Sequence, residues 1–436
     1  VIPYTYSLAA AIGAGTVFSG WLIGVYMAGV FAGSTLVWVL FQVQPKLWMR
    51  GRALLVLATY LNVVGAVLYF VLSFVAEEAS GTDGKSIPGF ASLLIFARVV
   101  DGLGTGIVVQ FSLVSLSYMF SAEERVAWTI DNNFAVLCGL GLGPLLASAS
   151  VSFCDASAEL RTIGTVYVGV AASVFCVCQL HYPESLESIE RQTSSSSEHQ
   201  GSPVPELVLG GSKYTRVVLL CSGLVSNCTR GFAVSGLESA IAFLLEYHYY
   251  FDRQFTGVVI GMCFLIFVPL MSICTRLQRT RCMTHMSWTR AFILMAAGSS
   301  LLLLTSVADL IGIGRPWCLM LASGIMYPFY VMSDAIVTGV MMKHAFPAGS
   351  WLDANHLMLW RSVCLSAIGR NLGPPLSRYS AEFGQDAFAT QQLATVAITF
   401  LLFEVIFRPC VAAMSEANMD IAFHSPATLT RIGGRP

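Results

Sequence analysis

Residues 96–120 read FARVVDGLGTGIVVQFSLVSLSYMF, followed by SAEERVAWTIDNN at 121–133 and FAVLCGLGLGPLLASAS at 134–150. Arg98 and Asp101 stand inside an otherwise apolar span and are followed by Gly102, Gly104 and Gly106. A second glycine run ends in Gly143-Pro144. Ionised side chains within an apolar helix are costly, so such a pair points to a buried partner, a water-filled cavity or a solute path.

The whole chain is apolar in the same way. Of its 436 residues 56% are hydrophobic and 11% charged, against roughly 25% charged in a soluble domain, and the mean hydropathy is +0.70. This composition predicts an all-α integral membrane protein. A net charge of -1 argues against nucleic acid as a partner, because phosphate binding needs a concentrated basic surface. The 12 cysteines are scattered through apolar runs with no CxxC, and read as small core residues. No Walker, HExxH or Ser-His-Asp pattern is present, so neither an enzyme, nor a nucleotide-driven pump, nor a cofactor or metal site is expected.

Long apolar runs fall at about 17–42, 53–76, 90–119, 129–153, 163–182, 216–246, 256–275, 290–312, 317–342, 354–377 and 388–414, eleven candidate spans. Lys46, Arg50, Arg52, Arg125, Arg216, Arg276, Lys343 and Arg408 collect in one set of alternate loops. The other set holds Lys85, Arg161, Arg253, Arg315 and Arg378. The positive-inside rule makes the first set and the C-terminus cytoplasmic. Residues 183–214, rich in Ser, Pro, Glu and Gly, form the extended polar segment and are expected to be a flexible cytoplasmic linker. The expected organisation is thus a first bundle at 1–182, a second at 215–414 and a tail at 415–436. The chain opens at Val1 with an apolar run that lacks a basic start and a cleavage site. One further helix is therefore expected upstream, with residues 1–16 as its end and the turn that follows.

Arg98-x-x-x-Gly102-x-Gly104 resembles the fourth-helix arginine motif of the major facilitator superfamily, and Gly139-x-Gly141-x-Gly143-Pro144 its fifth-helix Gly-Pro motif. SGWLIGVYMAGVFAGS at 19–34 is similar to that family's second helix, and GRALL at 51–55 to the start of its third. The usual aspartate of the second-to-third loop is absent. The resemblance implies two six-helix bundles, the first helix lying outside this chain, around a central site. It implies secondary transport of a small polar or anionic solute, with protons as coupling ion, by a monomer in membrane lipid. The competing class is a channel, or a structural subunit of a membrane assembly. A narrower resemblance, carried by VIPYTYSLAAAIGA, GLESAIAFLLEYHYYF and GSWLDANHLMLWRSVCLSAIGRNLGPPL, is to the branch of SPX-type vacuolar phosphate transporters and lysosomal facilitators. It implies a vacuolar or lysosomal membrane. No SPX domain is present, and the added basic residues of the phosphate transporters' fourth helix are replaced here by Thr105, Gly106, Ile107, Val108 and Val109.

Candidate residues follow from charge in apolar surroundings. Arg98 and Asp101, three apart, share a helical face, either as a cavity pair that meets an anion or as a structural pair. Arg98, Arg230, Asp334 and Gln110 are the substrate-contact candidates. Glu238, Asp101 and Asp334 are the proton-site candidates, Glu238 lying near mid-span and able to share a face with Arg230 and Glu246. The alternative for Asp334 is a structural pair with Arg361 or Arg370. Those two arginines are nine apart, about 900° or half a turn out of phase, so they can share a cavity only if their helix bends. Gly139, Gly143, Pro144, Gly373 and Pro374 are candidate gating points, since glycines permit close helix approach and proline removes a hydrogen bond. Glu246 with Tyr247–Tyr250 reads as membrane interface, Asp131 and Asn132 as a helix cap, and Glu404 with Arg408 as a local pair.

Overall fold

Apolar surroundings force backbone N–H and C=O groups to pair within their own segment, which favours helices throughout. The computed structural model describes residues 5–44, 51–80, 89–119, 124–153, 158–182 and 212–415, apart from 266–267, 270–271, 274–275, 277–283 and 348. In chain order the helices are α1 (Thr5–Ala11), α2 (Thr16–Val43), α3 (Gly51–Ser80), α4 (Phe90–Met119), α5 (Glu124–Val151), α6 (Glu159–His181), α7 (Lys213–Phe243), α8 (Arg253–Leu265), α9 (His285–Leu301), α10 (Thr305–Ile311), α11 (Arg315–Lys343), α12 (Ala354–Ser362), α13 (Asn371–Glu382) and α14 (Gln385–Leu402). Three π-helical segments extend or join them: Leu244–His248 after α7, Val363–Arg370 between α12 and α13, and Phe403–Phe407 after α14.

Eight helices among the described residues are long and apolar enough to cross a membrane, nine if α9 and α10, bent by 84° at their junction, form one span. The protein is an integral, multi-pass membrane protein. The other two expected spans fall on α8, a shorter apolar helix, and on the α12–α13 rod, whose polarity comes from Asn355, His356, Arg361, Arg370, Asn371 and Arg378. The expected linker lies outside the described residues as far as Gly211, and so does the tail from Glu416 onward. Residues 1–16 contain α1, followed by Gly13 in the left-handed region (φ 70).

Side-chain caps fix several helix starts, each accepting from an otherwise orphaned N–H. Ser212 accepts from Tyr214 (3.2 Å), Thr284 from Ser287 (3.2 Å) and Asp353 from His356 (2.9 Å). Asp131 and Asn132 are not caps: α5 begins at Glu124, because the polar run before them is helical too.

In the first half α4 packs on α2 and α3, and α3 on α6. In the second, α9 packs on α11, and α7 on α11, α13, α14 and the Val363–Arg370 segment. The halves meet where α2 lies on α13 and where α5 lies on α8 and α11. The α2–α4 seam is a close approach. A Cβ on Gly102 would collide with the Tyr26 carbonyl, and one on Gly29 with the Val99 carbonyl and, at 3.0 Å, the Gly102 Cα. Gly139 and Gly143 differ from expectation, since a Cβ on either meets nothing within 4 Å. In that run it is Gly141 that lies close to a neighbour, with Leu265 and Phe264 of α8 against it.

At the end of α11, the His344 carbonyl accepts from Arg216 Nε at 2.7 Å. Burial, with Lys343 and Arg216 nearby, pushes the His344 imidazole down from 6.5 to about 4. The folded protein then resists a proton that the unfolded chain accepts below about pH 6.5, so stability falls between pH 6.5 and 4. Replacing His344→Gln should flatten that acid-side loss in thermal unfolding measured across pH. At the α2–α4 seam, Gly102→Val should cost about 1–3 kcal/mol by overpacking, seen as a lower unfolding temperature in detergent. Gly143→Ala should leave that temperature unchanged.

Candidate functional site

Charged side chains inside the helical core fall into separate groups. In the first half Arg98 Nη1 meets Asp101 Oδ2 at 3.1 Å, and Arg98 Nε donates to the Leu22 carbonyl at 3.2 Å. The guanidinium carbon lies 4.7 Å from the centre of the Tyr26 ring and 5.9 Å from that of Tyr69, the geometry of a cation–π contact. Tyr167 donates a short hydrogen bond to the same Asp101 oxygen. The pair is thus enclosed by α2, α3, α4 and α6, and both residues are buried. Arg98 is held by Asp101 and not by Glu238 or Asp334 of the other half.

The second half gathers more charge. Arg370 Nη2 donates to both Glu238 oxygens, at 2.8 and 3.0 Å, and Tyr327 donates to Glu238 Oε1 at 2.7 Å. Arg361 Nη2 donates to Asp334 Oδ2 at 2.9 Å, and its Nε to Thr338 Oγ1 at 3.1 Å. Arg230, 1% exposed, donates from Nη1 to the Ser333 carbonyl at 3.0 Å. Its Nε and Nη2 are buried and make no hydrogen bond with the described residues.

Arg230, Tyr327, Tyr330, Asp334, Arg361 and Arg370 line one cavity of about 70 Å³, closed on the first-half side by Asn133, Val136 and Leu140 of α5. The half-turn between Arg361 and Arg370 is removed by the π-helical segment Val363–Arg370. Its wider i→i+5 winding turns roughly 20° less per residue than an α-helix. Over eight residues that recovers roughly 150°, and both arginines reach the same cavity. Sequence periodicity assumes an uninterrupted α-helix and so could not show this.

Other expected residues lie elsewhere. Gln110, 1% exposed, contacts the Asn355 carbonyl and side chain at 3.5 Å, a link between the halves. Pro144 lies inside α5, and Pro374 and Pro375 inside α13. A Cβ on Gly373 would come within 2.7 Å of the Phe232 carbonyl of α7. Glu246 lines a second cavity of about 340 Å³ with Tyr6, Glu159, Tyr247, Phe251, Asp252 and Arg253. There Arg253 of the second half pairs with Glu159 of the first at 3.0 Å. Arg378, expected in a loop, is fully buried in α13 and donates to the Ser19 and Thr5 hydroxyls across the halves, the second at 3.1 Å. The available signal was its spacing: eight residues after Arg370, on one helical face. Glu404 pairs with Arg408 and Arg290, both at 2.7 Å.

Neither a protein-family model nor a curated protein sequence matches the chain. Solved structures do. The chain is similar to the human organic anion transporter MFSD10 (TETRAN), at 17% identity over 92% of this chain and 88% of that one, with a TM-score of 0.58. It is similar to the xylose transporter XylE of E. coli in a partially occluded inward open conformation, at 15% identity over 92% and 94%, TM-score 0.58. It is likewise similar to the E. coli fucose:proton symporter FucP, at 11% identity over 94% and 96%, TM-score 0.53. The chain has the major facilitator fold. In that fold the two halves are repeats, and solute sites lie near the bilayer midplane between them. In the Arg230 cavity, second-half charges face α5 of the first half.

The Arg98–Asp101 arrangement makes a stability test direct. Arg98→Leu leaves a buried carboxylate unpaired and should cost about 3–5 kcal/mol. The double variant Arg98→Leu/Asp101→Leu should recover most of that loss, as read by thermal unfolding in detergent.

Proposed function

We propose that the protein is a secondary transporter that carries a small anionic solute by alternating access, with Arg230 as the residue that binds the solute's charge. The observation behind this reading is the pair of buried guanidinium nitrogens on Arg230 that make no hydrogen bond with the described residues while their side chain lines the cavity. A desolvated cation whose neighbouring carboxylate, Asp334, is already paired with Arg361 is left with surplus charge, and an anion in the cavity would offset that cost. Asp334 belongs to the same site as the partner of Arg361. The likeness in fold to an organic anion transporter and to two sugar transporters supports transport as the class of activity.

Rocking of the halves requires contacts that can break on either side of the cavity. One side offers Arg378 with Ser19 and Thr5, and Arg253 with Glu159. The other offers Gln110 with Asn355, and Trp38 stacked edge-on against His356 at 5.5 Å. The open space around Gly139 and Gly143 next to Pro144, and the proline pair after Gly373, give α5 and α13 places to bend. In this reading Gln110 acts at the closing contact, and Arg98 with Asp101 holds the first half together.

Proton coupling is assigned to Glu238. Its carboxylate holds Arg370, which lines the cavity, so a proton on Glu238 would release that guanidinium toward the solute. A vacuolar or lysosomal membrane, as the narrower resemblance implies, would supply the proton gradient.

Purified protein in liposomes tests this with radiolabelled carboxylates, chloride, phosphate and sugars, with and without a pH gradient. Saturable uptake of an anion is expected, reduced at least tenfold by Arg230→Gln, and made independent of the pH gradient by Glu238→Gln. Flux unchanged by both substitutions sinks the assignment, and conductance that needs no solute gradient identifies a channel.

A further inference from the structure

The Arg230 cavity carries an unpaired acceptor as well as unpaired donors. Asp334 is 8% exposed, and while its Oδ2 accepts from Arg361, its Oδ1 is buried and makes no hydrogen bond with the described residues. Arg230 sits beside it, anchored on the carbonyl of Ser333, the preceding residue. Two complementary sets of buried polar atoms therefore sit on side chains that line one cavity, without pairing with each other: Asp334 Oδ1, which needs a donor, and Arg230 Nε and Nη2, which need an acceptor. Native interiors rarely leave such atoms unsatisfied.

Charge narrows the fit further. Arg230, Arg361 and Arg370 oppose Asp334 and Glu238, so with both carboxylates in their ion pairs one positive charge is left over. A monoanion neutralises it, a zwitterion leaves it, and a dianion overshoots it. The cavity, about 70 Å³, has room for a small solute.

Taking this cavity as the solute site, we infer that its substrate is a small 2-hydroxy monocarboxylate, whose carboxylate accepts from Arg230 and whose hydroxyl donates to Asp334 Oδ1. The carboxylate supplies the missing charge and acceptor. The hydroxyl on the adjacent carbon supplies the donor that a simple fatty acid or a 2-keto acid lacks.

The test uses the full chain in liposomes loaded with lactate, following uptake of labelled lactate against unlabelled competitors. Lactate and glycolate should compete at concentrations roughly tenfold or more below those needed for propionate or pyruvate, because a site built for a hydroxyl rejects an analogue lacking it. Propionate equal to lactate would overturn the hydroxyl requirement and leave anion transport standing. Alanine equal to lactate would overturn the charge count. An absence of any carboxylate uptake, with phosphate or chloride carried instead, would overturn the substrate class alone, whereas no anion uptake at all would overturn the transport reading with it.

In Asp334→Asn the amide oxygen stays with Arg361 and the NH₂ takes the place of Oδ1, turning an acceptor into a donor. The preference should then pass from lactate to pyruvate. If that variant does not fold, thermal stabilisation of the unaltered protein by lactate and not by propionate gives the same reading, and equal stabilisation by both overturns it.

Discussion

A guanidinium held in an apolar bundle needs a counter-charge or a full set of acceptors, because desolvation alone costs several kcal/mol. The helices of this protein are arranged around that requirement. Arg98 is enclosed by Asp101, the Leu22 carbonyl and two tyrosine rings. Arg361 and Arg370 have Asp334 and Glu238, and Arg378 has two hydroxyls from the opposite half. Each pairing fixes the rotation of one helix against another, which apolar packing against lipid-like neighbours specifies weakly. Arg230 leaves two buried nitrogens, Nε and Nη2, without a partner among the described residues, and its side chain lines the cavity between the halves.

The first half and the second half use buried charge differently. In the first, α4 can approach α2 because Gly102 and Gly29 present no side chain at the seam. That closeness brings the Leu22 carbonyl within reach of Arg98 and closes the pair off. In the second, the π-helical segment Val363–Arg370 turns two arginines toward one cavity instead of opposite sides of a rod. π-Segments of this kind tend to mark functional positions.

Much of the fold was legible in the sequence because apolar run length reports on helices directly, and glycine and proline mark where they approach or bend. Arg98 with Asp101, and Glu404 with Arg408, were legible as local pairs because their spacing places them on one face. The cross-helix pairs were not. Periodicity gives a face within a helix but neither its rotation nor its partner, so Asp334 stood with two possible arginines until the structure gave it Arg361. Arg378 was hidden for a related reason: an arginine near the end of an apolar run looks like a loop residue unless the helix is known to continue to Glu382. The glycine run on α5 misled in the opposite direction, since only Gly141 lies against a neighbouring helix.

These differences bear on the kind of solute the fold can hold. A phosphate site needs enough positive charge for a group that is largely dianionic near neutral pH, and the fourth helix supplies none beyond Arg98, already neutralised by Asp101. Thr105 in the next turn is engaged by the Tyr26 hydroxyl at 2.7 Å, so that hydroxyl is turned inward on the first half. The surplus charge sits instead on α7, at Arg230, flanked by two arginines whose charge is already matched. In the transport reading proposed above, a single uncompensated guanidinium favours a monoanion by the same electrostatics that make a second buried negative charge unfavourable beside Asp334 and Glu238. Selectivity, on that reading, follows from which arginines the carboxylates leave unpaired, and not from how many arginines the core contains.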